Sequence, residues 1–203
     1  MNDQLVTQIV ELPRGELTIL QPADSAELPD DREVEWAPLV PYWSVLWRSG
    51  VTLAREVDGL DLRGRRVVEL GCGLGVPSLA AARAGADVLA TDLESDALEL
   101  VQRSAGLNDL VVRTELVDWS EPEQLVEMGP FDLVLGADVL YERPSVAHLL
   151  SLLPRLAPEA LIADPGRPAS SAFLDRGWER WDVEARRRGL VGIHAIRMEP
   201  ATR

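Results

Sequence analysis

The sequence predicts a doubly wound α/β protein whose mostly parallel sheet is finished by a C-terminal antiparallel hairpin. Three observations predict it. Five short apolar runs alternate with stretches of helical periodicity, the pattern of strands buried on both faces by crossover helices. The first of these runs flows into a glycine-rich turn, GCGLG, at residues 71–75. The last two runs are separated by little more than Gly189, and strands joined that tightly must be antiparallel.

The elements follow in order. Val6–Val10 and Glu16–Leu20 alternate as two short strands, and the acidic, proline-containing stretch Pro22–Trp36 reads as a loop. Residues 1–40 thus form an N-terminal extension, and 41–203 form the main domain. Val45, Leu46, Ser49, Leu53 and Val57 recur at helical spacing, predicting a helix over 44–57. Arg66–Leu70 is the first buried strand, and Val76–Ala84 is a helix stopped by Gly85. Asp87–Thr91 is a strand, Glu94–Ala105 a helix and Val111–Val117 a strand. Phe131–Leu135 is the fourth strand, Pro144–Leu156 a helix and Ala160–Ala163 the fifth strand. Ala169–Arg176 is a short helix, and Trp178–Arg187 with Leu190–Met198 form the closing hairpin.

Composition excludes several functions. A net charge of −14 disfavours a nucleic-acid partner, whose phosphates must be neutralised; it permits a basic protein or a cationic small molecule, or serves solubility alone. All 20 basic residues are arginine, so a P-loop, a lysine base and a Schiff-base lysine are absent. No run approaches a membrane span, and Met1–Glu11 lacks signal-peptide features, so a cytoplasmic setting is expected. The lone Cys72 reads as a small buried residue, and no Cys/His cluster suggests a metal site.

The candidate chemistry lies at the C-terminal ends of successive strands, the ligand edge of an open α/β sheet. Glu69-Leu-Gly71-Cys-Gly73-Leu-Gly75 follows the first strand. Its glycines let the backbone turn and approach a ligand. It departs from a dinucleotide fingerprint, because Val76 stands where Gly or Ala is required. It suits a ligand with a positively charged amino-acid part, whose ammonium Glu69 can hold directly or through water. Asp92, ending the second strand, can accept from both ribose hydroxyls, or cap the helix that follows. Asp118 and Trp119, ending the third, can take an adenine amine and pack on its ring, or be a surface Asp beside a core Trp. Asp138-Val-Leu-Tyr141 follows the fourth strand, where the reacting group should face. Asp138 can accept from a substrate amine or orient Tyr141, and Tyr141 can offer its ring to a cationic nitrogen.

At these residues, from roughly Pro41 onward, the sequence resembles the class I, seven-β-strand S-adenosylmethionine (SAM)-dependent methyltransferases. Pro41-Tyr-Trp-Ser-Val-Leu-Trp47-Arg-Ser-Gly50, Asp138-Val-Leu-Tyr141 and Asp164-Pro-Gly-Arg167 are similar to methyltransferase family 16, which holds many protein-lysine methyltransferases. The last two motifs look most like the electron-transfer-flavoprotein β-subunit lysine methyltransferase and its bacterial relatives. The resemblance implies a seven-stranded, Rossmann-like methyltransferase fold. It implies that Trp47, Glu69, Gly71, Gly73, Asp92, Asp118 and Trp119 line a SAM site, and that Asp138 and Tyr141 face the substrate. Gly75, Leu93 and Ala137 complete the candidate cofactor-binding set. Arg48 departs from the family, which often has proline there, and residues 1–40 match no part of it.

The expected reaction is direct in-line displacement at the sulfonium methyl, with the reacting atoms ~3–3.5 Å apart. A lysine acceptor must be neutral, and at pH 7 only on the order of 0.04% is neutral in water. Desolvation and the sulfonium charge would both lower its pKa. The acceptor is then a protein or a small molecule, and a SAM-binding protein without turnover is the alternative from another class. A nicotinamide dehydrogenase is disfavoured, because Ser145 stands four residues after Tyr141 where short-chain enzymes have lysine.

Overall fold

The computed structural model describes residues 4–26, 41–140 and 143–198. The chain opens with an antiparallel hairpin, β1 (Leu5–Leu12) and β2 (Gly15–Pro22), followed by one helical turn, α1 (Ala23–Ala26). A short 3-10 turn at Tyr42–Ser44 leads into α2 (Arg48–Asp58). Then come β3 (Arg66–Leu70), α3 (Val76–Arg83), β4 (Asp87–Asp92), α4 (Ser95–Leu107) and β5 (Arg113–Leu116). The chain continues through α5 (Glu123–Met128), β6 (Leu133–Ala137), α6 (Arg143–Leu156) and β7 (Glu159–Asp164). It closes with α7 (Pro168–Trp178), β8 (Asp182–Arg188) and β9 (Val191–Arg197).

The main sheet has seven strands in the order β5-β4-β3-β6-β7-β9-β8. The first five are parallel, and β9 runs antiparallel to both of its neighbours. Strand order reverses between β3 and β6, so their C-terminal ends open a crevice there. The sheet is covered on both faces. Val67, Leu133, Leu135, Val88 and Ala90 point into one core with α2, α3 and α4. Val68, Leu70, Val134 and Leu89 point into the other with α5, α6 and α7. Successive residues of one strand thus enter opposite cores, which is why the central strands read as unbroken apolar runs.

The β1–β2 hairpin packs on the α2–α4 side, and its Val10, Leu12, Leu17 and Ile19 join that core. Polar bonds fix its register. Asn108 Oδ1 accepts the Thr18 N–H at 2.9 Å and its Nδ2 donates to the Thr18 carbonyl at 2.7 Å. The Leu20 N–H donates to Ser104 Oγ. At the turn end, the fully buried Asp58 accepts from Arg14 N–H at 2.7 Å and from Arg83 Nε and Nη2 at 2.9 and 2.7 Å. Arg83 Nη1 in turn donates to the carbonyls of Gly15 and Glu16.

Several boundaries differ from the sequence expectation. The helix predicted over 44–57 starts at Arg48, because Ser44 is engaged elsewhere. Its hydroxyl bonds Pro41 O and Ser25 Oγ, and its carbonyl accepts from Gln21 Nε2. Of the predicted loop Pro22–Trp36, Pro22 ends β2, residues 23–26 form α1, and 27–36 lie outside the described residues. The third parallel strand is shorter than Val111–Val117, as Val111 is 84% exposed and has no core to join. The fourth runs to Ala137 rather than stopping at Leu135. Trp178 belongs to α7 and does not start the hairpin, since the chain turns only beyond it, with the Trp181 N–H on the Gly177 carbonyl at 2.8 Å. Helix α5 was not anticipated at all.

Replacing Asp58 with alanine removes the acceptor for three donors and strands the Arg83 guanidinium, whose side chain is 20% exposed. The expected loss is about 3 kcal/mol, at the low end of what breaking a buried pair costs. Urea denaturation of Asp58→Ala checks this, and a change below about 1 kcal/mol would show the clamp to be dispensable.

Candidate active site

The crevice between β3 and β6 deepens into a cavity of about 570 Å³. Its floor is the turn after β3, where Gly71, Gly73 and Gly75 all have positive φ, at 62°, 51° and 68°. Gly73 shows why the position excludes other residues. A Cβ there would lie 2.9 Å from the Trp43 carbonyl oxygen, a main-chain atom that cannot swing aside. The turn is held by the Gly75 N–H on Cys72 O at 2.7 Å and the Cys72 N–H on Thr91 O at 2.9 Å. Helix α3 begins directly behind it, so the cavity faces a helix N-terminus.

Two carboxylates sit at this floor. Glu69 is 1% exposed, and its Oε2 accepts from Ser78 N–H at 2.9 Å and Ser78 Oγ at 2.5 Å. Burial pushes its carboxyl up to about 8, against the lowering effect of the Ser78 bonds, and the charge of Asp92 adds to the rise. Asp92 accepts the Gly73 N–H at 2.8 Å on Oδ2 and the Glu94 N–H at 3.1 Å on Oδ1. Burial raises its carboxyl too. Neither has an arginine partner among these bonds, so the floor favours a positively charged ligand, which would relieve both carboxylates at once.

The walls come from four other elements. Trp43 and Trp47 stand on one side, Leu93 and Glu94 follow β4, Trp119 follows β5, and Ala137 with Asp138 ends β6. Trp47 is oriented by its Nε1–H on the Tyr42 carbonyl at 2.8 Å. The Trp119 indole lies against Gly71, 3.3 Å from where a Cβ would stand. Asp138 is in the left-handed region, φ 59°, with its N–H on Ala163 O at 2.8 Å. Its Oδ1 accepts from Arg167 Nε, and the Arg167 guanidinium lies 5.5 Å over the Trp47 ring.

A family model described as lysine methyltransferase matches residues 43–166, the stretch that builds all of this cavity except its edge at Pro41, Tyr42 and Arg167. The chain belongs to methyltransferase family 16. It is similar to a protein N-lysine methyltransferase of Danio rerio, 36% identical over 56% of this chain and 55% of that protein. It is similar also to the electron transfer flavoprotein beta subunit lysine methyltransferase of Xenopus laevis, 34% identical over 65% of this chain and 55% of that one. The chain therefore spans about half the length of the curated relatives it matches. The T. thermophilus 16S rRNA methyltransferase in complex with AdoMet and guanosine superposes with a TM-score of 0.70 at 18% identity, over 96% of this chain and 51% of that one. That likeness concerns the fold.

Within the family frame, the placement of each expected residue is clear. Trp47, Glu69, Gly71, Gly73, Gly75, Asp92, Leu93, Trp119, Ala137 and Asp138 all line the one cavity. Asp118 does not: it is exposed, and its Oδ1 accepts the Ser120 N–H at 2.7 Å, which fixes the turn after β5. Tyr141 lies outside the described residues. Cys72 lines the cavity but is buried, and burial pushes its thiol well above the ordinary range, so it is no nucleophile. Among the described residues no group of three or more His, Cys, Asp and Glu is placed to hold a metal. Sequence reasoning missed Trp43, Glu94 and Arg167 as lining residues. Arg167 had a signal, the D-P-G-R motif, but only the fold brings it to Asp138.

The elevated Glu69 carboxyl has a measurable consequence. Its native value, about 8, exceeds the ordinary 4.5, so between these the folded state keeps a proton that the unfolded state gives up. Stability therefore falls as pH rises across that window and levels above it. Asp92, also raised, acts in the same direction. Glu69→Gln keeps an acceptor for Ser78 and removes the titration. Its stability should vary less between pH 5 and 8 than the wild type's, read from chemical denaturation at several pH values. Parallel curves for the two proteins would mean that Glu69 is ionised in the native state throughout.

Proposed function

We propose that the cavity binds SAM and that this chain methylates a lysine side chain of a partner protein. The observation that carries the reading is the convergence on one cavity of a glycine turn, two cation-seeking carboxylates, an aromatic wall and Asp138. Membership of the lysine methyltransferase family agrees with it.

The residues present fit that cofactor. Glu69 and the glycine turn would hold its ammonium and carboxylate part, beside the N-terminus of α3. Asp92 would accept from its ribose hydroxyls, and Leu93 and Trp119 would enclose its adenine. Asp118 would join them if its side chain leaves Ser120. When bound, SAM supplies a methyl group on a positively charged sulfur, open to in-line attack by an amine lone pair. Asp138 would accept a hydrogen bond from the incoming amine and orient its lone pair. Trp47 and Arg167 would shape the opening through which the side chain enters. Tyr141, three residues after Asp138 in sequence, would offer a ring to the entering nitrogen.

The net charge of −14 supports a protein acceptor over a nucleic acid, and the free, buried Cys72 supports a reducing, cytoplasmic setting. Among the described residues no helix is long and apolar enough to cross a membrane.

Incubating the purified chain with methyl-labelled SAM and a cell lysate tests the reading. Label should appear on a protein band, and on lysine after hydrolysis. Label confined to small molecules would instead make the acceptor a metabolite, and tight SAM binding with no label anywhere would make the chain a binding protein. Asp138→Asn, which suits the left-handed backbone, should lower transfer by about 100-fold or more while SAM still binds. Unchanged turnover would remove Asp138 from the chemistry.

A further inference from the structure

Strand β8 is an outer strand of the main sheet, and among the described residues it pairs with β9 alone. Alternate main-chain N–H and C=O groups along its seven residues therefore face away from the sheet. All of its side chains are exposed except the half-buried Val183. No residue of β8 lines the cavity, so this edge lies outside the site described above.

The two faces of the strand differ. Val183 stands opposite Ile196 and packs into the core under α5, α6 and α7. Arg188 reaches Glu56 of α2 on the other face. Side chains alternate along a strand, so Asp182, Glu184, Arg186 and Arg188 share the α2 face. Along that face the charges run negative, negative, positive, positive.

We propose that β8 is a self-association edge, on which two copies of this chain pair antiparallel about a two-fold axis at Ala185. In this register Asp182 of each copy stands opposite Arg188 of the other, and Glu184 opposite Arg186. The two-fold repeats both pairs. Sliding one strand by two residues sets Glu184 against Glu184 in one direction and Arg186 against Arg186 in the other. Opposite charges directly across a ladder stabilise it and like charges destabilise it, so charge selects the register centred on Ala185.

Other features of the edge agree. Sheet edges are commonly guarded by charge, which keeps them from pairing. Here the order of the charges makes the edge complementary to its own copy, as a two-fold interface requires. In a chain of net charge −14, β8 carries three arginines against two carboxylates and does not repel a second copy of itself. Its charged groups already pair within the chain, Arg186 with Glu184 at 3.0 Å and Arg197 with Asp182 at 3.5 Å. Such exposed pairs contribute little, and each guanidinium has donors to share with a second carboxylate. Exposed apolar side chains flank the strand. Trp178, 54% exposed, ends α7 just before β8, and Leu190, 46% exposed, lies in the turn just after it. Antiparallel pairing brings the start of one β8 to the end of the other, and with them Trp178 and Leu190 to the same end of the joint.

Sedimentation velocity on the full chain tests the inference. The wild type should pass from monomer toward dimer as its concentration rises. Glu184→Arg sets like charges across the axis twice and should weaken association about tenfold or more, and Arg186→Glu should do the same. Glu184→Arg combined with Arg186→Glu restores opposite charges in the same register and should bring association back to within about threefold of wild type. Mild oxidation reads the register independently. Ala185→Cys faces its own copy and should form an interchain disulfide, whereas Arg187→Cys faces Val183 and should not. The native Cys72 is buried and stays out of this reaction. Four results would each overturn the inference: a wild type that stays monomeric at every concentration, a dimer indifferent to Glu184→Arg, a combined variant as weak as either single one, or equal cross-linking of the two cysteine variants.

Discussion

The turn after β3 is the joint on which the rest of the cavity depends. Each of its three glycines abuts a different part of the chain. Gly73 lies under the Trp43 carbonyl, Gly71 lies against Trp119 and Val139, and Gly75 lies against Val101 of α4, where a Cβ would come within 2.5 Å of Cγ2. The turn therefore fixes how closely the segment before α2, the loops after β5 and β6, and helix α4 approach one another. A side chain at Gly71 or Gly73 would press on Trp119, Val139 or the Trp43 main chain, all of which line the cavity, so the pocket's shape is a packing result and not a property of one loop.

The β1–β2 hairpin enters this arrangement through a chain of polar contacts. Ser104 and Asn108, at the end of α4, hold the β2 backbone. Gln21 at the end of β2, and Ser25 just beyond it, hold Ser44. Ser44 closes the turn whose middle residue, Trp43, rests on Gly73. The hairpin and the glycine turn are thus linked twice, once through α4 and once through the Tyr42–Ser44 turn. A segment that matched no family pattern is built into the frame that holds the glycine-turn side of the cavity.

What was legible in the sequence follows the same physics. The five parallel strands and their helices could be read because two-sided burial leaves largely apolar runs, as in Ala160–Ala163, and because glycines mark several of their ends. The C-terminal hairpin could be read from Gly189. The start of α2 could not, because Ser44 is withdrawn from the helix by partners about twenty residues away in sequence. Helix α5 is a single short element with one buried residue, Leu125, too little to show periodicity. The candidate site was legible where backbone chemistry forces the residue type, as at Gly71, Gly73 and Asp92. It was not legible where the lining includes a side chain brought over from the turn after another strand. Arg167 meets Asp138 only because β7 lies beside β6.

The carboxylates that line the cavity are partnered in two different ways. At the glycine turn, Glu69 and Asp92 receive only neutral donors, Ser78, Gly73 and Glu94 backbone or hydroxyl groups. Their charge is left unbalanced, and burial drives both toward protonation until a cation arrives. Asp138, by contrast, has a guanidinium already in place. In a chain with net charge −14, leaving every carboxylate of the cavity unpaired would make the whole pocket a trap for cations. The carboxylates beside the glycine turn, Glu69 and Asp92, are therefore where a positively charged ligand gains most, because it would offset the cost of burying both.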